Sequence, residues 1–390
     1  MISQRASTFT ESVIREMTRF AQQHGAINLS QGYPDFAMPA PMKDAACAAI
    51  QGDINQYAVT WGTAELRLGI AEKYRRWYGM EVDPDCEVTV TCGATEAMAA
   101  TYLALVDPGD EVVVLTPFYE NYGPDAILAG ATPVYVPLLP PHGGAAAWRL
   151  DEERLTAALA RRPKALVLNT PHNPSGKVFT RAEVDLIARL VLEHDVPWVI
   201  TDEIYEHIVY AGHHHPIATW PGLKERTVTI SGLSKTFSCT GWRLGYAIAP
   251  PAATSAIRKV HDFLTVGAPA PLQAAAAVGM AFDADYYNHL MTDYRDRRDL
   301  LCGALVEGGF TLTPPQGAYY VLCGFDQLSD RDDVAFAKWL AAEVGVATVP
   351  GSSFYRATGD GRRLVRFAFC KKAETLNAAV ERLANLRATV

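Results

Sequence analysis

Four short stretches of this chain hold residue types that could bind a phosphorylated aromatic aldehyde and do chemistry on it. Each follows directly on a β-rich run. Behind EVTVT (87–91) comes Gly93-Ala94-Thr95, and behind KALVLN (164–169) comes Thr170-Pro171-His172-Asn173-Pro174. WVIT (198–201) leads into Asp202-Glu203-Ile204-Tyr205, and TVTIS (227–231) into Ser234-Lys235, with Arg243 eight residues on. A turn of small residues at a helix N-terminus offers unpaired N–H groups and the positive end of the helix dipole, which suits a phosphate monoester. Arg243 adds a charge-assisted clamp on the same group. An aspartate against a pyridine nitrogen keeps it protonated and makes the ring an electron sink, while a lysine forms a Schiff base with an aldehyde. Asp202 and Lys235 fit those two roles.

Positioning these residues requires a sheet. In open α/β sheets ligands sit beyond the carboxyl ends of the strands, where all four stretches fall. Three further runs, EVVVL (111–115), PVYVPL (133–138) and GYAIA (245–249), bring the strands to seven. The runs are nearly continuously apolar, as strands buried on both faces are, and they alternate with helical stretches. This predicts an α/β fold with a mostly parallel central sheet flanked by helices. One helix is expected from Gly93, another after Thr180, where Glu183 completes a capping box. PLLPPHGGAAA (137–147) reads as a surface loop. Beyond about residue 283 the texture changes to a long charged helix and strand-like pieces at YYVLC and VRFAF. The expected division is therefore a large α/β domain over 41–282 and a smaller α+β domain formed by 1–40 and 283–390, closing over the active site.

Composition narrows the classes. With 390 residues, 49% hydrophobic and 20% charged, the chain reads as a folded globular protein rather than a disordered or fibrous one. The net charge of -8, from 35 Lys+Arg against 43 Asp+Glu, leaves no basic footprint for nucleic acid. Seven cysteines without a Cys-x-x-Cys argue against a zinc site or a disulfide framework and fit a cytoplasmic location. No secretory h-region and no run of about 20 apolar residues is found, so neither export nor a membrane is expected. His213-His214-His215 lies in a Gly-flanked loop without partnering ligand spacing and reads as solvated; no metal is assigned.

The strings PHNPSGKVF, TDEIYEH and SGLSKTFSCTGWRLGY resemble the signature blocks of class I/II pyridoxal-phosphate aminotransferases of fold type I. IRKVHDFLTVGAPAPLQ, PGSSFY and VRFAFCK resemble the branch holding kynurenine, methionine and aromatic aminotransferases, and the match runs in order from NLSQGYPDF (28–36) along nearly the whole chain. The resemblance implies pyridoxal 5'-phosphate (PLP) as cofactor, with Lys235 as Schiff-base lysine and proton shuttle and Asp202 holding the pyridinium. It implies that Asn173 and Tyr205 bond the ring hydroxyl and that Tyr119 stacks on the ring. Gly93, Ala94, Thr95 and Arg243 would hold the phosphate, joined by Tyr57 of a neighbouring subunit in a homodimer with shared active sites. Arg366 would grip the substrate carboxylate, with Gly32 and Asn173 close by. Many relatives carry Ser three residues before the lysine; here that position is Gly232, which leaves Ser231 and Ser234 as alternatives for the phosphate hydroxyl.

The implied activity is transfer of an amino group from an L-amino acid to a 2-oxo acid. Aromatic, methionine-like or kynurenine-like amino acids are favoured, with Tyr33, Trp61, Phe118 and Tyr119 as candidates to line an apolar pocket. A lyase, replacement enzyme or cyclase on the same fold is the alternative. A cofactor-sensing transcription factor would need a DNA-binding module that the roughly 30 residues before NLSQG cannot supply. No G-x-G-x-x-G follows an early strand, which disfavours a nicotinamide enzyme.

Overall fold

The computed structural model describes residues 3, 5–9, 11–141, 147–384 and 386. All seven runs become strands of one sheet: β1 (Val88–Thr91), β2 (Glu111–Thr116), β3 (Thr132–Pro137), β4 (Ala165–Asn169), β5 (Trp198–Asp202), β6 (Thr227–Gly232) and β7 (Gly245–Ile248). Their order is β1-β7-β6-β5-β4-β2-β3. β7 alone runs against its neighbours β1 and β6; the remaining pairings are parallel. Burial on both faces explains the unbroken apolar runs. In β2, Val113 and Leu115 pack with Leu155, Ile187 and Val191, whereas Val112 and Val114 face Ala97, Tyr102 and Ile257 on the other side. Of the loop expected over 137–147, residues 142–146 lie outside the described residues; Leu139 pairs with Arg149 across it.

Four helices matter most for the site: α1 (Val13–Gln23), α2 (Ala94–Leu105), α3 (Arg181–Glu193) and α4 (Ala284–Glu307). The capping box predicted for α3 forms, with the Thr180 hydroxyl accepting from Glu183 N–H and the Glu183 carboxylate accepting from Thr180 N–H. A separate antiparallel sheet, in the order β9-β10-β8, consists of β8 (Tyr320–Gly324), β9 (Val349–Pro350) and β10 (Leu364–Ala368). It shares a core with Leu301 and Leu305 of α4, with Leu376 and Leu383, and with Ile204 and Tyr205 just beyond β5. Ile27–Asn28 pairs in parallel with Val346–Ala347, which ties the N-terminal segment to the C-terminal one. Among the described residues, no helix is long and apolar enough to cross a membrane.

A buried ion pair anchors the stretch that carries Asp202 and Tyr205. Lys73 Nζ contacts Glu206 Oε1 with both side chains almost fully enclosed, and Tyr78 and Ser231 also donate to the Glu206 carboxylate at 2.9 Å each. Burial alone would raise the Glu206 pKa. The Lys73 ammonium overrides it, with His207 and His214 adding, and holds the carboxyl at about 2. Glu206 therefore contributes stability above the ordinary carboxyl range, lost only as pH falls toward that value. Removing one partner strands a buried charge, so Lys73→Met should cost about 3–5 kcal/mol. Lys73→Met with Glu206→Leu should recover most of it, read from denaturant midpoints of the two variants.

Candidate functional site

One cavity of about 730 Å³ opens along the carboxyl edge of the large sheet, and the predicted stretches converge on it. The topology gives the reason. β1, β4, β5 and β6 are parallel, so the segments after all four emerge at the same edge, and β7 runs the other way, so Arg243, which precedes it, arrives there too. Ala94, Thr95, Tyr119, Asn173, Asp202, Tyr205, Ser234, Lys235, Arg243, Arg366 and Gly32 all line this space.

Close backbone approach shapes the Arg243 side. Gly93 caps α2 at φ +86, and a Cβ there would lie 2.3 Å from Arg243 Nη2. A Cβ on Gly245 would come within 2.3 Å of the Ala94 nitrogen. Only glycines let the helix start, the guanidinium and β7 meet. Arg243 itself sits in the left-handed region at φ 52, an uncommon setting for a residue with a side chain. Its Nη1 donates to the Thr240 carbonyl.

Lys235 is half-buried and opens on the cavity, with its Nζ donating to the Gly32 carbonyl at 3.1 Å. Desolvation pushes its pKa down to about 8, with Arg243 and Arg366 acting the same way and Cys370 and Asp202 opposing. Asp202 is driven in the other direction. Burial raises it, while the Tyr122 hydroxyl, donating to Oδ2 at 2.7 Å, and the Ile204 N–H, donating to Oδ1, favour the ionised form.

Arg366 on β10 is 1% exposed and stacks over Tyr320 at 4.1 Å and near Phe354 at 4.8 Å. Its Nη1 donates to Asn173 Oδ1 at 2.9 Å and its Nη2 to the Ser30 carbonyl at 2.8 Å, leaving Nε without a partner. Its neighbours point elsewhere: Arg362 is exposed, and Arg363 pairs with Asp326. Since the Asn173 amide oxygen is taken by Arg366, its NH₂ is the group left for a ligand. Tyr205 donates to the Tyr320 hydroxyl at 3.1 Å. A Cβ on Gly32 would fall 1.9 Å from that same hydroxyl, so this position accepts no side chain.

Several expectations are corrected. Ser231 is fully buried and donates to Glu206 and to the Glu203 carbonyl, on the far side from the cavity, so of the two serines Ser234 faces it. Tyr33 and Trp61 stand outside the cavity. Lys371 sits over the Tyr33 ring at 3.9 Å, and Arg258 covers Trp61 at 4.8 Å. Phe118 and Tyr119 do line the cavity, the latter edge-on to Tyr122. Tyr57 is 86% exposed and is not among the residues lining its own chain's cavity, as a residue expected to serve a neighbouring subunit need not be. His214 is not solvated: its Nε2 lies 2.8 Å from Glu203 Oε2 with 3% of the side chain exposed. Glu203, Glu206 and His214 lie close enough to hold a cation, but Lys73, Tyr78 and Ser231 already occupy Glu206.

Three residues at the site escaped the sequence reading. Tyr122 lies three residues after Tyr119 in FYENY, a spacing that places it toward Asp202 once a helix begins there. Tyr319 and Tyr320 were hidden in a strand-like string. The Tyr319 hydroxyl donates to the Gly32 carbonyl at 2.9 Å, and its ring lies 5.7 Å from Lys235 Nζ.

The residues present fit a phosphorylated pyridine aldehyde. N–H groups of a helix start, a serine hydroxyl and an arginine suit a phosphate dianion, a buried carboxylate suits a protonated ring nitrogen, and an amine of lowered pKa suits the aldehyde. Fold and cavity together place the molecule among the fold type I pyridoxal-phosphate enzymes. Residues 24–383 match the model of the class I and II aminotransferases, and the chain belongs to that family.

The chain is 40% identical to the methionine aminotransferase of Escherichia coli K12 over 376 residues, 96% of each chain. It is 36% identical to human kynurenine–oxoglutarate transaminase 1 over 399 residues, 94% of each. The solved N-succinyldiaminopimelate aminotransferase of Mycobacterium tuberculosis superposes with a TM-score of 0.95 at 40% identity, covering 99% of this chain and 100% of that one. The protein is thus an aminotransferase that moves an amino group between an amino acid and a 2-oxo acid, with pyridoxal phosphate as cofactor. The lyase and cyclase reading draws no support from these relatives.

The Tyr122 contact generates a prediction. A hydrogen bond to a charged group is worth about 1.5–3 kcal/mol, so Tyr122→Phe should lower kcat by roughly ten- to a hundredfold with the fold intact. In cofactor-free protein, amine-selective acylation of Lys235 should rise with pH around a midpoint near 8, measured by mass spectrometry of the labelled peptide.

Proposed function

We propose that the chain transaminates medium to large uncharged L-amino acids, methionine-like and aromatic, within the cavity centred on Lys235. The convergence of Lys235, Asp202, Asn173, Arg243 and Arg366 on one space carries this reading. When bound, pyridoxal phosphate supplies an aldehyde for amines and a ring that withdraws electrons from the substrate α-carbon.

Lys235 would hold the aldehyde carbon, Asp202 the ring nitrogen, Asn173 and Tyr205 the ring hydroxyl, and Tyr119 the ring face. Gly93, Ala94, Thr95, Ser234 and Arg243 would hold the phosphate. Arg366 takes the substrate carboxylate in a planar fork, for which a lysine would be a poor replacement. Gly32 and Asn173 lie beside it because Lys235 and Arg366 bond to them. With its amine free, Lys235 would be the base that removes the substrate α-proton and the acid that returns it. Its lowered pKa suits both tasks.

Val13 and Ile14 of α1, Phe118, Tyr119 and Tyr355 line the cavity together with Arg15, Glu16, Lys338 and Arg356, and the apolar and aromatic ones would take an apolar or aromatic substrate side chain. α1 is held against this wall by the Ser12 hydroxyl, which donates to the Glu120 carboxylate. Methionine and kynurenine aminotransferases among the relatives support this reading, while the equally similar N-succinyldiaminopimelate aminotransferase does not.

The working form is a homodimer. Thr95 and Arg243 are exposed in the single chain, and Tyr57 (86%), Val59 (51%), Phe263 (92%) and Leu264 (48%) form an exposed apolar set that a second copy would cover. Tyr57 would then reach the other copy's phosphate. The same reading divides the chain into a large domain, 41–282, and a smaller one, 1–40 with 283–390. It places the enzyme in the cytoplasm, where its seven free cysteines persist as thiols.

Mixing the holoenzyme with single amino acids, without oxo acid, should convert the cofactor to its amine form with one equivalent of 2-oxo acid. Methionine and aromatic substrates should react fastest, and a preference for aspartate would sink the substrate assignment. Lys235→Ala should abolish turnover in a folded dimer. Asp202→Ala should keep the cofactor yet lose several orders of magnitude in rate, because the group that stabilises carbanion charge is gone.

A further inference from the structure

Behind the first turn of α2 lies a buried histidine that the reading so far leaves unused. His261, in the helix Pro251–Thr265, is fully buried. Its Nδ1 lies 2.6 Å from Glu96 Oε1 and its Nε2 2.8 Å from the Thr60 carbonyl oxygen. Both partners accept. The Glu96 carboxylate also accepts from the Thr265 hydroxyl at 3.0 Å and from the Cys92 N–H at 2.5 Å, as an ionised carboxylate does. A neutral imidazole has one N–H and could serve only one of the two acceptors, whereas an imidazolium serves both.

Each end of this link is a functional segment. Glu96 is the third residue of α2, directly after Ala94 and Thr95, and braces the turn by capping Cys92. Thr60 lies three residues beyond Tyr57, and the next carbonyl, of Trp61, accepts from Val90 in β1. Gly267, just past the histidine's helix, has room for no more than van der Waals contact with Thr60. The segment carrying Tyr57 has few other ties: residues 51–57 are exposed throughout.

We propose that His261 is a positioning residue. Held as an imidazolium between Glu96 and the Thr60 carbonyl, it fixes the Tyr57 segment against the first turn of α2 and thereby tunes the grip on the cofactor phosphate in both subunits. The proposal rests on the reading of α2 and Tyr57 as phosphate ligands. The charged groups acting on His261 are Glu96 from α2 and Asp262 on its own helix; Cys92, at the end of β1, and Arg258 bear on Glu96 and Trp61 beside it, and the Thr60–Trp61 segment contributes only the Thr60 carbonyl. Desolvation works against the charged ring, but the Glu96 bond and charge, the Thr60 carbonyl and Asp262 outweigh it and raise its pKa. The link therefore weakens as pH rises through that raised value.

The test compares binding of pyridoxal phosphate and of pyridoxal, which lacks the phosphate, to cofactor-stripped full-length protein. His261→Gln, and independently Glu96→Gln, should weaken pyridoxal phosphate about tenfold or more while changing pyridoxal less than about twofold, as expected for a charge-assisted bond acting through the phosphate site. Equal losses for both ligands, or none, would overturn the proposal. Arg243→Gln is the control: if it too leaves the ratio of the two affinities unchanged, the phosphate reading itself fails. Should the histidine variant not fold, nitrogen-15 spectra of the histidine rings in the wild-type holoenzyme decide. One ring that keeps both nitrogens protonated to higher pH than an ordinary imidazole of pKa about 6.5 supports the link, and the absence of such a ring overturns it.

Discussion

The hydrogen bond from Arg366 to Asn173 joins the three-stranded sheet to the seven-stranded one, and the site depends on it. Arg366 belongs to the small antiparallel sheet, whereas Asn173 follows β4 of the large one. From Asn173 the connection continues inward: its backbone N–H donates to Asn169 Oδ1 at 2.7 Å, and Asn169 Nδ2 donates to the Asp202 carbonyl at 2.8 Å. One chain of bonds thus runs from the Arg366 guanidinium to the backbone of Asp202. It is buried along its length, where a missing partner costs most, so its members fix one another's rotamers.

Around that chain the fold supplies direction rather than chemistry. Parallel strands deliver their following loops to a common edge, and the single reversed strand delivers its preceding residue there as well. Arg243 can join Gly93 only because β7 runs backward and because Gly93 and Gly245 carry no side chains. The Lys73–Glu206 pair lies behind this edge, at the end of the stretch bearing Asp202 and Tyr205. A buried ion pair of this kind is weak evidence for net stability but constrains geometry strongly, since neither charge tolerates losing the other.

The strands were legible because burial on both faces writes a continuous apolar run, and all seven such runs entered one sheet. The stretches of chemistry were legible because each follows a run. What stayed hidden depended on direction or on distance in sequence. Ser231 and Ser234 carry the same hydroxyl, yet Ser231 is still within β6 and turns toward Glu206, while Ser234 lies past its end. Tyr33 and Trp61 are aromatic like Phe118, but sequence does not say that Lys371 and Arg258 would cover them. His214 sits in a loop of apparently solvated histidines and is drawn inward by Glu203, whose own position depends on the pairing of β5 with β6. Tyr320 reads as one residue of a strand; that it floors Arg366 follows only from the register of β8 against β10.

The electrostatics of the cavity pull its two central groups toward each other in protonation. Burial lowers the lysine and raises the aspartate, and either shift alone would leave a neutral group of little use. Each is checked by specific partners. Tyr122 and the Ile204 N–H keep Asp202 disposed to be an anion, while the nearby Asp202 and Cys370 keep Lys235 from falling further against Arg243 and Arg366. The lowered Lys235 is thereby suited to give up and take back a proton, while the hydrogen bonds to Asp202 favour its ionised form. The arginines complete the arrangement. Arg243, Arg366 and Lys235 around Asp202 suit the anionic phosphate and the anionic substrate carboxylate that the cofactor and an amino acid bring.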